Sequence, residues 1–394
     1  MTTTVLPVAQ WEWIDCPNRL KTLCEQWSKA PLLAVDTEFV RVNTYYPNVG
    51  LIQVADAQGQ YLIDPIQIKD LSAFADVICK APTIKVLHSC GEDLEIFQRL
   101  FGMLPNAIFD TQIAAALVGY DVQTGLSRLV KDLLGVELPK DETRSDWTQR
   151  PLTQSQQRYA ALDVAYLIQL HDILLEKLDA KKRLDWIDEE CQRVLTNAGR
   201  SVDLEKLYLQ SGSLWKLSRV ELGILQALYS WRETTARQRN MPRSFILKES
   251  QLFDLARFKP KTPNALHEIE GLSRKFIAED GQTVLTMIQQ VAHRPEAQLP
   301  ERVKPPLPKE ARELVMKLRG LAQQRAQTLE VHPELLLKRR YVEALLENAV
   351  SQDDIELPEQ LTGWRRALIG EACIDLLNSH RETLRQWRAL RQRD

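Results

Sequence analysis

Three short apolar runs between Pro31 and Pro65 determine how the first part of the chain folds: LLAVDTEF at residues 32–39, VGLIQVAD at 49–56 and QYLIDP at 60–65. Each run has the length and the apolar character of a β-strand, and Gln58-Gly59 is typical of a turn between the last two. We therefore predict three adjacent strands in this region.

The pattern changes to a helical period after these strands. Two segments have it, LSAFADVICKA (71–81) and GEDLEIFQRLFG (91–102), and the short strands IKVLH (84–88) and AIFD (107–110) alternate with them. The stretch TQSQQRYAALDVAYLIQLHDILLEKL (153–178) contains no Gly or Pro and keeps an apolar face throughout, which predicts one long helix. Strands followed by mixed strands and helices indicate a mixed α/β domain.

The chain after Leu178 reads as helical. A Pro-rich stretch between Arg294 and Pro308, RPEAQLPERVKPPLP, is typical of a semi-rigid linker. The helical segments on its two sides are weakly alike: FILKESQLFDLA follows Met241-Pro242, and LLLKRRYVEALL follows His332-Pro333. A period of about ninety residues suggests a duplicated small helical domain.

Length and composition limit the classes of protein to be considered. A chain of 394 residues predicts two or three domains, and a net charge of −2 gives no overall attraction to nucleic acid. The six cysteines are scattered and form no Cys-x-x-Cys pair, which favours a reducing compartment. The sequence starts without a signal-peptide pattern and has no apolar run long enough to span a bilayer. We expect a cytoplasmic protein with no membrane partner.

Two acidic residues stand at the end of the first predicted strand. Asp36 and Glu38 are two positions apart, so both carboxylates point to the same face of the sheet. Their repulsion calls for a bound cation or a shared proton, and a metal ion is the simpler explanation.

Further acids lie on predicted helices. Asp93 stands near the start of GEDLEIF, where the helix dipole favours any carboxylate, and Glu92 and Glu95 compete with it for a functional role. Tyr159 and Asp163 are four positions apart, so they project from one helical face. Each of these motifs alone is more often structural than catalytic, but their order along the chain favours a common site.

Three segments, DTEF, HSCGEDLEIF and RSDWTQRPLTQSQQRYAALDV, together resemble the three exonuclease motifs of the ribonuclease D family, which belongs to the DEDD exonuclease superfamily. The resemblance implies that Asp36, Glu38, Asp93 and Asp163 are the metal ligands, and it selects Asp93 over Glu92 and Glu95. It also implies that Tyr159 is catalytic, as in the tyrosine subclass.

The resemblance extends to the domain organisation. It implies a ribonuclease H-like exonuclease domain with a mixed sheet flanked by helices, followed by two all-α HRDC-type domains. The expected boundaries are 1–178 for the exonuclease domain, 179–210 for a helical connector, 211–291 for the first HRDC domain, 292–308 for the linker and 309–394 for a second, diverged HRDC-like domain.

The expected activity is hydrolysis of RNA from its 3′ end to nucleoside 5′-monophosphates, with transfer RNA precursors carrying 3′ extensions as substrates and a monomeric enzyme. Four carboxylates suit two divalent cations, Mg²⁺ or Mn²⁺, because the charges then cancel. A phenol with an ordinary pKa near 10 is a poor base, so we expect Tyr159 to position the attacking water. Phe39 and Tyr46 are candidates for stacking on the terminal nucleotides.

Two other functions stay open at the level of sequence: a DNA-directed 3′–5′ exonuclease with the same site, and a non-catalytic RNA-binding scaffold with a degenerate nuclease fold. The stretch from Trp215 to Lys261 carries ten Lys and Arg against four Asp and Glu, a local net charge of 10 − 4 = +6. It fits either a contact surface for phosphates or an ordinary solvated helix face. We expect His88 to be a hydrogen-bonded histidine of the core, or one that supports a metal ligand, rather than a metal ligand itself.

Overall fold

The computed structural model describes residues 10–139 and 145–391. Arg144, which begins the third motif, and the ends of the first and last predicted domains, residues 1–9 and 392–394, lie outside the described residues. The chain forms two compact units. The first comprises Met1–Val40, Asn48–Arg200 and Pro308–Arg393, and the second comprises Arg41–Pro47 and Ser201–Leu307. The domain boundaries given above stay predictions.

A six-stranded sheet forms the centre of the first unit. Its strands are β1 (Trp11–Ile14), β2 (Leu32–Val40), β3 (Asn48–Ala55), β4 (Gln60–Ile63), β5 (Ile84–Leu87) and β6 (Ile108–Asp110), in the spatial order β1-β4-β3-β2-β5-β6. β3 pairs antiparallel with β2 and β4, whereas the pairs β1–β4, β2–β5 and β5–β6 are parallel. The sheet is therefore mixed, as predicted, but β1 was not predicted.

Within the described part of the first 200 residues, eight helices surround this sheet: α1 (Pro17–Trp27), α2 (Ser72–Cys79), α3 (Gly91–Phe101), α4 (Thr111–Val118), α5 (Leu126–Leu134), α6 (Gln154–Ala165), α7 (Leu167–Ala180) and α8 (Leu184–Gly199). Helices cover both faces of the central strands, so Ala34 and Val35, which are neighbours on opposite faces of β2, are both fully buried. The mixed α/β class predicted from the sequence is confirmed.

The prediction of one long helix over residues 153–178 was wrong at a single point. The chain breaks at Tyr166, which separates α6 from α7. α6 starts with a capping box between Thr153 and Gln156 and packs mainly on β3 and β4 and also on β2, whereas α7 packs mainly on α4 and also contacts β2 and β5. The break follows from these different packing partners, because the local sequence contains no Gly or Pro that would cause it.

The second unit is helical. It contains 3₁₀ turns at Leu204–Gln210, Leu214–Lys216 and Glu296–Gln298, and the helices α9 (Arg219–Arg239), α10 (Arg243–Ile246), α11 (Glu249–Phe258), α12 (Pro263–Leu266) and α13 (Arg274–Ala292). A capping box formed by Ser218 and Glu221 starts α9, and Asn240, in the left-handed region, ends it. Apolar residues of α9, α11 and α13 share one buried core.

An acidic side chain is buried inside this second unit. Glu233 of α9 is 1% exposed and accepts hydrogen bonds from Arg243, from Arg237 at 2.8 Å and from the Tyr45 hydroxyl at 2.5 Å. Tyr45 belongs to Arg41–Pro47, the only part of the second unit that comes from the first half of the chain. The two guanidinium groups also lie over the Tyr45 ring.

The last part of the chain returns to the first unit. Its helices are α14 (Ala311–Leu329), α15 (Pro333–Leu336), α16 (Arg339–Ser351), α17 (Glu371–Asn378) and α18 (Arg381–Arg391), with a 3₁₀ turn at Glu359–Leu361 and a π-helical turn at Arg366–Gly370. The ring of Trp364 stacks on Trp186 of α8 at 4.4 Å. Arg365, 3% exposed, forms a salt bridge with Glu190, which also lies in α8. None of the helices in the described ranges has the length and apolarity needed to cross a membrane.

Candidate active site

Three of the predicted acids meet on one face of the sheet. Asp36 and Glu38 project from β2, and Asp163 projects from α6, which covers that face. One carboxylate oxygen from each of the three lies within 4.8 Å of the other two. Residues from distant parts of the chain therefore form one compact acidic cluster.

The fourth predicted acid, Asp93, is held beside this cluster. It lies in the first turn of α3, is 6% exposed, and accepts a hydrogen bond of 2.5 Å from the hydroxyl of Thr37. Thr37 stands between Asp36 and Glu38 in β2, so its side chain points to the other face of the strand. The sequence patterns assigned no role to Thr37, although its position inside the DTEF motif was a usable signal.

Tyr159 lies one helical turn before Asp163 on α6. Its hydroxyl is within hydrogen-bonding reach of the Asp163 carboxylate, and its ring centroid lies 6.0 Å from that of the buried Trp147. Trp147 also packs with Leu51 and Ala160. The phenol is therefore oriented by apolar packing on one side and by the carboxylate on the other.

The segment that carries Trp147 is fixed to the sheet by an ion pair. Arg150 donates two hydrogen bonds to the buried Asp64, at 2.6 and 2.8 Å, and a third to the Gly50 carbonyl. A Cβ atom at Gly50 would lie 2.3 Å from the Trp147 carbonyl oxygen, so the close approach requires glycine there. Sequence patterns do not reveal these residues, because the contacts join positions far apart in the chain.

The carboxyl groups of the cluster hold their protons unusually strongly. Burial, followed by the charges of Asp36, Asp163 and Asp93, raises the pKa of Glu38 to about 9. Burial raises the pKa of Asp36 to about 6, and burial together with the charge of Asp36 raises the pKa values of Asp93 and Asp163 well above their usual range. Such a group of acids is stable in the ionised form only if cations neutralise it.

The donor set fits divalent cations. Carboxylate oxygens are hard ligands that suit Mg²⁺ or Mn²⁺ better than the softer metals bound by Cys and His. The raised pKa values and the short separations of Asp36, Glu38 and Asp163 indicate a site organised around positive charge.

The remaining predicted site residues lie in different units. Phe39 follows Glu38 in β2, at a β-bulge, and is half-buried in the first unit. Tyr46 belongs to the second unit, where its backbone N–H donates to the Asn240 side chain and its ring contacts Tyr45. His88 makes a hydrogen bond of 2.9 Å with Thr111, consistent with the expected core role.

A cavity of about 280 Å³ opens beside Tyr159. Its walls include Trp11 of β1 and Gln154, Ser155 and Arg158 of α6. Arg158 is exposed, and no ion pair with it is found among the described residues. The cavity therefore places a free positive charge next to the phenol, a feature that the sequence motifs did not indicate.

Acidic residues of the second unit neutralise much of the charge of its basic stretch, residues 215–261. Five of its ten basic residues form salt bridges with acids of the same unit, namely Arg219, Arg237, Arg239, Arg243 and Lys259. Arg232 is buried. The four others, Lys216, Lys248, Arg257 and Lys261, are exposed and form no salt bridge within the described part of the chain. The charge available to a ligand is thus smaller than the sequence suggested.

Comparison with known proteins places this site in a family. Residues 11–179 match the family described as 3′-5′ exonuclease, and residues 221–288 match the HRDC domain. The chain is 42% identical to ribonuclease D of Pseudomonas paraeruginosa over 368 residues, which cover 93% of this chain and 98% of that protein. It is 34% identical to ribonuclease D of Escherichia coli over 372 residues, which cover 94% and 99% respectively.

The chain belongs to the ribonuclease D family.

A solved structure agrees with this assignment. The crystal structure of Escherichia coli RNase D, described as an exoribonuclease involved in structured RNA processing, matches with a TM-score of 0.87 at 34% identity. The match covers 94% of this chain and 99% of that one. Membership of the ribonuclease D family makes the chain a 3′–5′ exoribonuclease, a hydrolase that acts on nucleic acid and uses divalent metal. The predicted family, fold class and enzyme class are confirmed.

Proposed function

We propose that this chain removes nucleotides one at a time from RNA 3′ ends, using two divalent cations, Mg²⁺ or Mn²⁺, held by Asp36, Glu38, Asp93 and Asp163. The observation that carries the proposal is the meeting of three carboxylates within 4.8 Å beside Tyr159. The products are nucleoside 5′-monophosphates.

The four acids contribute to cation binding from different positions. Asp36, Glu38 and Asp163 supply the oxygens that face one another, and Asp93, which lies outside this group of three, would add its carboxylate from α3, where it accepts a hydrogen bond from Thr37. Divalent cations held by these residues would lower the pKa of the attacking water and would stabilise charge on the scissile phosphate and on the leaving 3′ oxygen.

Tyr159 acts as a positioning residue rather than as a base. Burial and the neighbouring charges of Asp163 and Glu38 raise the pKa of this phenol, so it keeps its proton at neutral pH. A protonated phenol can donate its one hydrogen bond to the Asp163 carboxylate and accept another from a water molecule through its oxygen lone pairs, which orients that water. The packing of the Tyr159 ring on Trp147 fixes the position of the hydroxyl and therefore the orientation of the water molecule.

The substrate we propose is a transfer RNA precursor with a 3′ extension. The Escherichia coli relative is described as acting in structured RNA processing, and the HRDC match adds a second helical module to the chain. Phe39 and Tyr46 are proposed contacts for the terminal nucleotides. The exposed, unpaired basic residues of the second unit are proposed contacts for backbone phosphates. We further propose that the enzyme is monomeric and cytoplasmic.

The test compares three substrates and three variants. The full chain is incubated with Mg²⁺ and a 3′-extended transfer RNA, its mature form or a single-stranded DNA of the same sequence. Asp36→Ala and Asp93→Asn are expected to abolish shortening, whereas Glu92→Gln, an exposed neighbour on α3, is expected to retain it. Stepwise loss of nucleotides from RNA supports the proposal. Equal digestion of DNA would contradict the substrate, and no activity with Mg²⁺ or Mn²⁺ would favour a scaffold.

A further inference from the structure

An uncharged polar side chain is buried without a partner in the central sheet. Gln53 of β3 is 0% exposed, and neither its Nε2 nor its Oε1 has a hydrogen-bond partner among the described residues. Burial removes the amide from water without replacing the lost hydrogen bonds, which is unfavourable for folding. An apolar residue would fill the same space without this cost, as its neighbours in the run VGLIQVAD do.

Strand pairing puts Gln53 beside the acidic cluster. Gln53 lies opposite Asp36 in the antiparallel pair of β3 with β2, and residues opposite each other share a face with Cβ atoms about 4.5–5.5 Å apart. The next pair on that face joins Glu38 to Leu51, which packs under α6. Gln53 therefore lies on the face that carries the carboxylates, with the site acid Asp36 as its cross-strand neighbour.

Two of the other acids already have a side-chain donor. Thr37 donates to Asp93, and Tyr159 is within reach of Asp163. For Asp36 the contact found is with the backbone of Thr37. A buried carboxylate that binds a cation with one oxygen gains from a donor to its other oxygen, because that donor fixes its orientation.

We propose that Gln53 is a positioning residue for Asp36, donating a hydrogen bond from Nε2 to the Asp36 carboxylate when that carboxylate binds a divalent cation. The inference rests on the proposed function only in taking Asp36 as a metal ligand. It assigns to Gln53 an effect on cation binding and leaves RNA binding to other residues.

The decisive measurement is direct binding of Mn²⁺ to the full chain by isothermal titration calorimetry. Gln53→Met keeps the length of the side chain and removes both polar groups, and Gln53→Leu serves as a second apolar replacement. We expect the Mn²⁺ dissociation constant to rise about tenfold in both, a change within the range typical of residues that support metal ligands. Leu62→Met is the matched control, because Leu62 is the other cross-strand neighbour of Gln53, in β4.

Two further readouts separate this role from a purely structural one. Thermal unfolding without metal should show Gln53→Met at least as stable as the wild type, since an unpaired amide has been removed. In RNA hydrolysis, the lower rate of the variant should be restored by raising Mg²⁺, with the KM for RNA changed less than about twofold.

The outcomes distinguish the inference from the proposed function. A Mn²⁺ dissociation constant within twofold of the wild type in both Gln53 variants would overturn the inference, as would an equal loss of affinity in Leu62→Met. Wild-type protein that binds Mn²⁺ but does not shorten RNA would contradict the proposed function while leaving the Gln53 test readable. If Asp36→Ala binds Mn²⁺ as tightly as the wild type, both the inference on Gln53 and the proposed function lose their basis.

Discussion

Replacing Glu233 by glutamine removes the negative charge at the centre of the second unit and keeps the shape of the side chain. Glu233 is buried, and desolvation alone would raise its pKa. Hydrogen bonds from Arg243, Tyr45 and Arg237 outweigh this effect and lower the pKa from 4.5 to about 2. The folded state thus favours the ionised form of Glu233. The glutamine variant lacks the charge, so it loses the stabilisation that these hydrogen bonds give to an ionised carboxylate.

The magnitude follows from this difference in pKa. At about 1.4 kcal/mol for each pKa unit, a fall from 4.5 to about 2 corresponds to roughly 3 kcal/mol of folding free energy. Arg237 and Arg243 are 36% and 51% exposed, so water screens part of the interaction. We therefore expect Glu233→Gln to destabilise the second unit by about 2 kcal/mol at pH 7.

The pH dependence has a defined sign. A carboxyl group whose pKa is lowered by folding stabilises the folded state above its unfolded pKa, and this contribution is lost as the pH falls through the folded value. The difference in the free energy of unfolding of the second unit between wild type and Glu233→Gln should be constant from pH 8 to about pH 5.5 and should shrink below about pH 4.5.

Hydrogen exchange followed by mass spectrometry provides the assay, because the amides of α9 report the opening of the second unit in the intact chain. The control is Glu279→Gln, which removes the acid of an exposed pair with Lys275 and should change the free energy of opening by less than about 0.5 kcal/mol. Equal protection of α9 in wild type and Glu233→Gln at pH 7, or a difference that does not change at low pH, would refute the reasoning.

Three further predictions concern the active site. Tyr159→Phe keeps the packing on Trp147 and removes the hydroxyl, so steady-state kinetics should show kcat reduced roughly 10- to 100-fold with little change in KM. A rise in KM alone would contradict a positioning role. Arg158→Glu reverses the free charge in the cavity wall, and steady-state assays should give a KM for RNA raised about tenfold with weaker salt dependence. If the salt dependence is unchanged, Arg158 does not contact phosphate. Thr37→Val removes the donor to Asp93 and should reduce the stabilisation by Mg²⁺ in thermal unfolding, with a loss of about 2 kcal/mol; equal Mg²⁺ stabilisation would argue against this role.

The local features of the fold were predictable from the sequence. The strand of Asp36 and Glu38 was found from its apolar pattern, and the spacing of Tyr159 and Asp163 correctly placed both on one side of a helix. These signals depend on neighbouring residues, and strand and helix periods report them directly. The same periods explain why the predicted mixed sheet was confirmed.

The features that were missed depend on contacts between distant residues. β1 is a strand because it pairs with β4, and the break at Tyr166 arises because the main packing partners are β3 and β4 for α6 and α4 for α7. The exact register that places Gln53 opposite Asp36 is likewise a property of the folded sheet. Sequence patterns show which residues favour burial, but they do not show which buried residues meet.

The return of the C-terminal helices to the first unit has a consequence for biosynthesis. Trp186 and Glu190 emerge from the ribosome long before Trp364 and Arg365, their partners in the finished protein. During translation the Trp186 ring lacks its stacking partner, and Glu190 has Arg193 of its own helix, at 3.7 Å, but not Arg365 as a counter-ion, while the second unit is still being synthesised. The nascent first unit therefore passes through an interval in which an aromatic surface is uncovered, and a chain interrupted before Trp364 would keep that surface and be exposed to aggregation and proteolysis.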